Sequence, residues 1–137
     1  GVALKFNALT GNLRGKRLIV VDDSIVRGNT SGPIMSLLRQ AGAKEIHLRV
    51  TSPPIRYPCF MGVDMATYEE LIAHRLSVPE IRQRFGVDTL GYLSLEGLAD
   101  TIGQPFDNLC LACFSGDYPL AVHEEAAKKL AFDGVIL

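Results

Sequence analysis

Short apolar runs alternate with turns bearing Gly and Pro, and their spacing sets the elements. Arg17 to Val21 is an apolar, β-branched stretch without helical period, which predicts a fully buried strand. The polar residues from Gly11 to Gly15 before it predict a turn. From Thr30 to Ala41, the residues Ile34, Leu37, Leu38 and Ala41 recur at helical spacing, and Gly42 follows as a left-handed stop. Glu45 to Thr51 alternates as a strand does. Strand, helix and strand of these lengths form one βαβ unit, so the two strands are expected to run parallel.

Beyond it, Ser52-Pro-Pro-Ile-Arg-Tyr-Pro-Cys-Phe-Met-Gly62 excludes regular structure, because its three prolines cannot donate to a backbone ladder. Thr67-Tyr-Glu-Glu70 and Ser77-Val-Pro-Glu80 both fit a capping box, and each predicts a short helix. Thr89 to Leu93 predicts a brief strand, Ser94 an N-cap for a helix over Leu95 to Ile102, Gly103 to Pro119 a loop, and His123 to Phe132 a last helix. The class is α/β.

Composition narrows the field. The 137 residues are 47% hydrophobic and 21% charged with a net charge of −1, an ordinary globular balance. No basic stripe interleaved with aromatics supports nucleic-acid or membrane-surface binding, and no apolar run is long enough to span a bilayer. A cytoplasmic location is expected. The chain opens Gly1-Val-Ala without an initiator Met, which suggests a piece of something longer. His47, His74 and His123 stand alone in different elements and read as structural or surface residues.

The chemistry concentrates in Leu18-Ile-Val-Val-Asp-Asp-Ser-Ile-Val-Arg-Gly-Asn-Thr-Ser31. A strand delivers Asp22 and Asp23 to its carboxyl end, where open α/β sheets bind ligands. Ser24 to Asn29 then turns into a helix, whose N-terminal N–H groups and partial positive charge suit a phosphate. Gly28 admits close backbone approach, and Thr30 and Ser31 add hydroxyl donors. Adjacent carboxylates would repel a phosphate unless they face sugar hydroxyls or a cation such as Mg²⁺. Phosphate at the helix end with a diol and metal at the acids describes a phosphorylated ribose. The stretch is neither a Walker A loop nor a dinucleotide fingerprint. The structural alternatives are that Asp22 and Asp23 merely end a strand, that Thr30 merely caps a helix, and that Arg27 packs without touching a ligand.

Three cysteines are odd for a disulfide framework. Cys110 and Cys113 form a C-x-x-C and Cys59 lies apart, a spacing that leaves zinc, iron–sulfur and a reduced dithiol open.

The Asp22–Ser31 loop closely resembles the phosphoribosyl pyrophosphate (PRPP) loop of type I phosphoribosyltransferases. Its wording is similar to that of the glutamine PRPP amidotransferase family in particular. Lys5-Phe-Asn7, Gly42 to His47, Ser52 to Phe60, Gly62-Val-Asp64, Glu70-Leu-Ile-Ala73, Leu93 to Gly97 and Cys110 to Pro119 extend the likeness nearly end to end.

The resemblance implies an open parallel sheet of the type I phosphoribosyltransferase kind with flanking helices. Residues 1–103 would form the C-terminal part of that domain, and 104–137 a cysteine-bearing tail packed on it. It implies a glycosyltransferase that makes 5-phosphoribosylamine for purine synthesis. PRPP and inhibitory purine nucleotides would be held by Asp22, Asp23, Ser24, Arg27, Gly28, Asn29, Thr30 and Ser31, with Mg²⁺ at Asp22 and Asp23. No general base stands out. It further implies a [4Fe-4S] cluster on Cys59, Cys110 and Cys113 with a fourth cysteine upstream of Gly1. A glutaminase domain, the pyrophosphate loop and most of a lid are expected upstream as well, with a homotetramer as the family assembly. This chain alone is then expected to lack glutamine-dependent turnover. A salvage-type phosphoribosyltransferase and a non-catalytic nucleotide-binding domain share the loop and are the alternatives.

Overall fold

The computed structural model describes residues 10–63 and 67–121. Strands β1 (Arg17–Asp22), β2 (Glu45–Val50) and β3 (Thr89–Tyr92) form a sheet in the order β1-β2-β3, with both pairs parallel. The βαβ reading holds: α2 (Ser31–Gln40) connects β1 to β2. The pairing sets Leu18 beside Ile46, Val20 beside Leu48 and Leu48 beside Leu90, so one face of the sheet is apolar. Against it pack Met35 and Leu38 of α2 and Ile81 and Phe85 of α4 (Val78–Phe85), all buried. Ile46, Leu48 and Ile81 are wholly inaccessible. Each such side chain contributes on the order of 1.5–3 kcal/mol by leaving water.

The expectation of a fully buried β1 is corrected. Burial alternates along it, and Ile19 and Val21 are 75% and 65% exposed. Among the described residues, the helices that touch the sheet cover one face only. The other face is polar where β2 and β3 meet it. Glu45 accepts from Arg17 Nε at 2.7 Å and lies 3.1 Å from His47 Nε2, while His47 Nδ1 lies 2.9 Å from Thr89 Oγ1. These contacts, His47 first and Arg17 second, hold the Glu45 carboxyl below its ordinary pKa.

Other boundaries shift for local reasons. The stretch expected as a turn before β1 begins with a helical turn, α1 (Thr10–Leu13). Thr67 to Glu70 makes one half of its box, Thr67 N–H donating to Glu70 Oε2 at 3.1 Å, but the Glu70 N–H goes to the Thr67 carbonyl and the stretch forms only a turn. Helix α3 starts at Ile72 and ends at Arg75. The Ser77 box does open α4, with Glu80 accepting from the Ser77 N–H at 2.7 Å. Ser94 Oγ accepts from Gly97 N–H at 2.9 Å and caps α5 (Leu95–Ile102). The expected loop from Gly103 to Pro119 contains a 3₁₀ turn (Phe106–Asn108) and α6 (Ala112–Ser115), each too short to show a period. Lys5-Phe-Asn7, Asp64 and the helix expected over His123 to Phe132 lie outside the described residues.

Candidate functional site

The loop between β1 and α2 is anchored at both ends. Ile25 is 1% exposed and pins its middle into the core. Ser31, also buried, donates its hydroxyl to Asp22 Oδ2 at 2.8 Å, tying the first residue of the helix to the last of the strand. Thr51 N–H reaches the Asp22 carbonyl at 3.0 Å, which docks the loop on the end of β2. Asp23 Oδ1 accepts from Ser24 N–H at 2.6 Å. These bonds tie the loop to the end of β1, the end of β2 and the start of α2.

Residues Ser24 to Ser31 line a hollow of about 320 Å³, the lower end of the range for small-molecule pockets. Among the described residues, the N–H groups of Arg27, Gly28, Asn29 and Thr30 make no hydrogen bond, which leaves these donors of the lining for a ligand. They stand at the start of a helix of ten residues, where the helix dipole adds attraction for an anion. Thr30 occupies the N-cap position and its side chain makes no cap bond.

Gly28 has φ +76°. A Cβ there would stand 2.8 Å from Ile72 Cδ1 and 3.0 Å from Phe85 Cζ, so the turn passes directly over the core. Arg27 points to a carboxylate: its Nε donates to Glu70 Oε1 at 3.1 Å and its Nη2 to Oε2 at 3.4 Å. Ser31 and Arg27, expected to hold phosphate, thus spend their side chains on Asp22 and Glu70 in this structure.

The three cysteines are free thiols, Cys59 and Cys110 in loops and Cys113 in α6. Arg56 and Tyr57 N–H donate to the Cys113 carbonyl at 2.9 and 3.1 Å, and Tyr118 OH donates to the Pro58 carbonyl at 2.8 Å. These bonds staple the segment holding Cys59 to the one holding Cys113. Burial pushes the Cys113 thiol up, and nearby Cys59 and Cys110 push it the same way. The donors suit a soft metal. Among the described residues, however, no three His, Cys, Asp or Glu side chains are grouped to hold one ion, so the thiols do not form a closed centre as they stand.

Known proteins resemble this chain over most of its length. No family model matches the chain. It is 52% identical over 129 residues to the amidophosphoribosyltransferase of Bacillus subtilis, covering 91% of this chain and 27% of that protein. The Drosophila melanogaster amidophosphoribosyltransferase is 47% identical over 135 residues, covering 91% of this chain and 25% of that one. A solved structure, the B. subtilis glutamine PRPP amidotransferase complexed with ADP and GMP, superposes with a TM-score of 0.78 at 52% identity, covering 85% of this chain and 27% of that one. The chain corresponds to one part of the amidophosphoribosyltransferases it matches. It spans about a quarter of the length of the curated relatives it matches.

Within an amidophosphoribosyltransferase frame, Asp22 and Asp23 sit at the carboxyl edge of the sheet and present hard oxygen donors, the kind Mg²⁺ takes. Reading the sequence missed several residues. Ile25 and Val26 line the hollow, and as apolar residues they carry no chemical signature to announce it. Arg84 and Phe85 of α4 line a second hollow on Gly28, Asn29, Gly32 and Pro33, a contact across more than fifty positions that no local pattern encodes. Glu70 was legible as part of a helix cap and of the family likeness, but not as the partner of Arg27. Among the described residues, no helix is long and apolar enough to cross a membrane.

Proposed function

We propose that this chain is the PRPP-binding portion of an amidophosphoribosyltransferase, which makes 5-phosphoribosylamine, glutamate and pyrophosphate from PRPP, glutamine and water. The observation that carries the reading is the Ser24–Ser31 hollow, with its amide donors at the start of α2 and Asp22 and Asp23 beside it. The amides and the Thr30 hydroxyl would take the 5′-phosphate, as helix N-termini do. Asp22 and Asp23 would take the ribose diol and the substrate's Mg²⁺, whose chemistry is to neutralise the departing pyrophosphate. As C1 of the ribose gains positive charge, the protein's share is to hold the sugar still with its C1 open to ammonia. Asp22 is well placed for this, because Ser31 fixes one of its oxygens.

Purine nucleotides carry the same phosphoribosyl unit and would compete for the same donors. Cys59, Cys110 and Cys113 would contribute to a [4Fe-4S] cluster once a further thiolate and a closer arrangement are supplied. We also propose a cytoplasmic homo-oligomer, a tetramer as in the family, with the glutaminase function carried by a separate part of the protein. The chain alone is then without glutamine-dependent turnover.

Titration of the ¹⁵N-labelled chain with ribose 5-phosphate, with and without Mg²⁺, tests the site. Amide shifts should concentrate in residues 24–31 and be absent with unphosphorylated ribose, and Asp22→Asn should weaken binding about tenfold, one to two kcal/mol for a lost charged hydrogen bond. Shifts elsewhere, or none, would overturn the assignment.

A further inference from the structure

Resting on that reading, we propose that Glu70 is a positioning residue for the phosphate loop: it latches the Arg27 guanidinium to the segment ahead of α3 and so fixes the loop's amides, and Arg27 is not a ligand of the phosphate. The segment from Thr67 to Ile72 straps the loop from outside. Glu70 is itself oriented, because Thr67 N–H donates to Oε2 at 3.1 Å and the Thr67 hydroxyl to the same oxygen at 3.4 Å. That oriented carboxylate meets Arg27 with both oxygens, Nε on one and Nη2 on the other. Such a two-point contact fixes direction as well as distance, which a point-charge lysine cannot reproduce.

Two residues along the strap, Ile72 N–H donates to the Val26 carbonyl at 2.9 Å. The residue just before Arg27 is therefore held by the strap's backbone, and Arg27 by its side chain. The strap is rigid where it needs to be. Leu71 is fully buried against Ile55, with Val26 packed on the same pair, and Ile72 is 1% exposed and abuts Gly28. Arg27, Gly28 and their amides thus sit between a buried floor and a tethered side chain. A guanidinium occupied by Glu70 leaves the hollow to backbone donors, whose positions the latch defines.

The test uses the full 137-residue chain with Glu70→Gln, Arg27→Lys and the double variant. In the ligand-free proteins, hydrogen exchange of the Ser24, Gly32 and Ile72 amides, which are bonded within the loop or between strap and loop, should quicken several-fold in both single variants while the amides of Ile46–Val50 keep their protection. Calorimetry with ribose 5-phosphate should show binding about two- to fivefold weaker in each single variant, the size of an exposed ion pair. The double variant should be no weaker than the worse single one. If Arg27 instead touched the phosphate, Arg27→Lys would lose far more affinity than Glu70→Gln, and Glu70→Gln, freeing the guanidinium, would bind more tightly than the parent. Either result overturns the latch, as does unchanged loop exchange or an equal rise in β2. Failure of the unaltered chain to bind ribose 5-phosphate would overturn the functional reading itself, and loop exchange would then decide the latch alone.

Discussion

Replacing Gly28 by Ala tests whether the loop owes its shape to contact with the core. Two costs add. At φ +76° an L-residue gives up about 1 kcal/mol relative to glycine. The new methyl would also lie 2.8 Å from Ile72 Cδ1 and 3.0 Å from Phe85 Cζ, inside contact distance of two buried side chains. Neither can retreat cheaply, because both belong to the main core, and such overpacking costs roughly 1–3 kcal/mol. Gly15→Ala is the internal control. Its φ is +73° and nothing lies within 4 Å of the added Cβ, so it carries the backbone cost alone. The difference between the two variants should be about 1–3 kcal/mol, or roughly 4–12 °C in Tm for a domain of this size. Urea titrations of both variants measure it directly, and ribose 5-phosphate affinity should fall only for Gly28→Ala. Equal midpoints and equal affinities for the two variants would refute the claim that Ile72 and Phe85 dictate the bend.

Two further outcomes follow from titratable groups. Among the described residues, the buried Tyr92 hydroxyl has no hydrogen-bond partner, and burial pushes its pKa up to about 12. The folded protein therefore keeps that proton between about pH 10 and 12 while the unfolded chain loses it, so stability falls as pH rises through that window. Tyr92→Phe should be as stable as the parent or up to about 1 kcal/mol more so at pH 7, and should lose less between pH 10 and 12 in urea titrations; the part due to Tyr118, also pushed up by burial, should remain. Asp88 accepts from Ile46 N–H at 2.7 Å and from Arg39 Nη2 at 2.8 Å, and these bonds, the backbone one first, hold its carboxyl below the usual range. Its contribution is present above the ordinary carboxylate pKa and is lost as pH falls through the lower folded value. Asp88→Asn should be less stable than the parent at pH 7 and show a flatter acid limb, read by thermal melts from pH 7 down to pH 3.

The βαβ unit and the place of the loop were legible because each rests on local chemistry. Strand residues without helical period, a helix with apolar residues three and four apart, and glycine at the bend all act within a few positions. The exposure of β1 was not legible. Leu18-Ile-Val-Val21 has no alternation in its residue types, so its pattern cannot say that Leu18 and Val20 face the helices while Ile19 and Val21 face outward. That asymmetry comes from what lies across the sheet. The cysteine segments illustrate the same limit: C-x-x-C announced a chemistry, but the stapling of Cys59's loop to Cys113 depends on backbone bonds between positions 56 and 113.

Thr67 to Glu70 shows how a correct local reading can mislead. The pattern predicts a carboxylate that returns to cap Thr67, and it does so. A helix should follow at once, yet none starts until Ile72. The reason lies outside the pattern. Val26 takes the Ile72 N–H, and Arg27 takes Glu70's oxygens from 43 residues away. A cap carboxylate engaged by Arg27 of the Ser24–Ser31 loop is no longer free to organise a helix. The residues at which the local pattern breaks down are therefore those bonded to Val26 and Arg27, where a tertiary contact overrides local propensity.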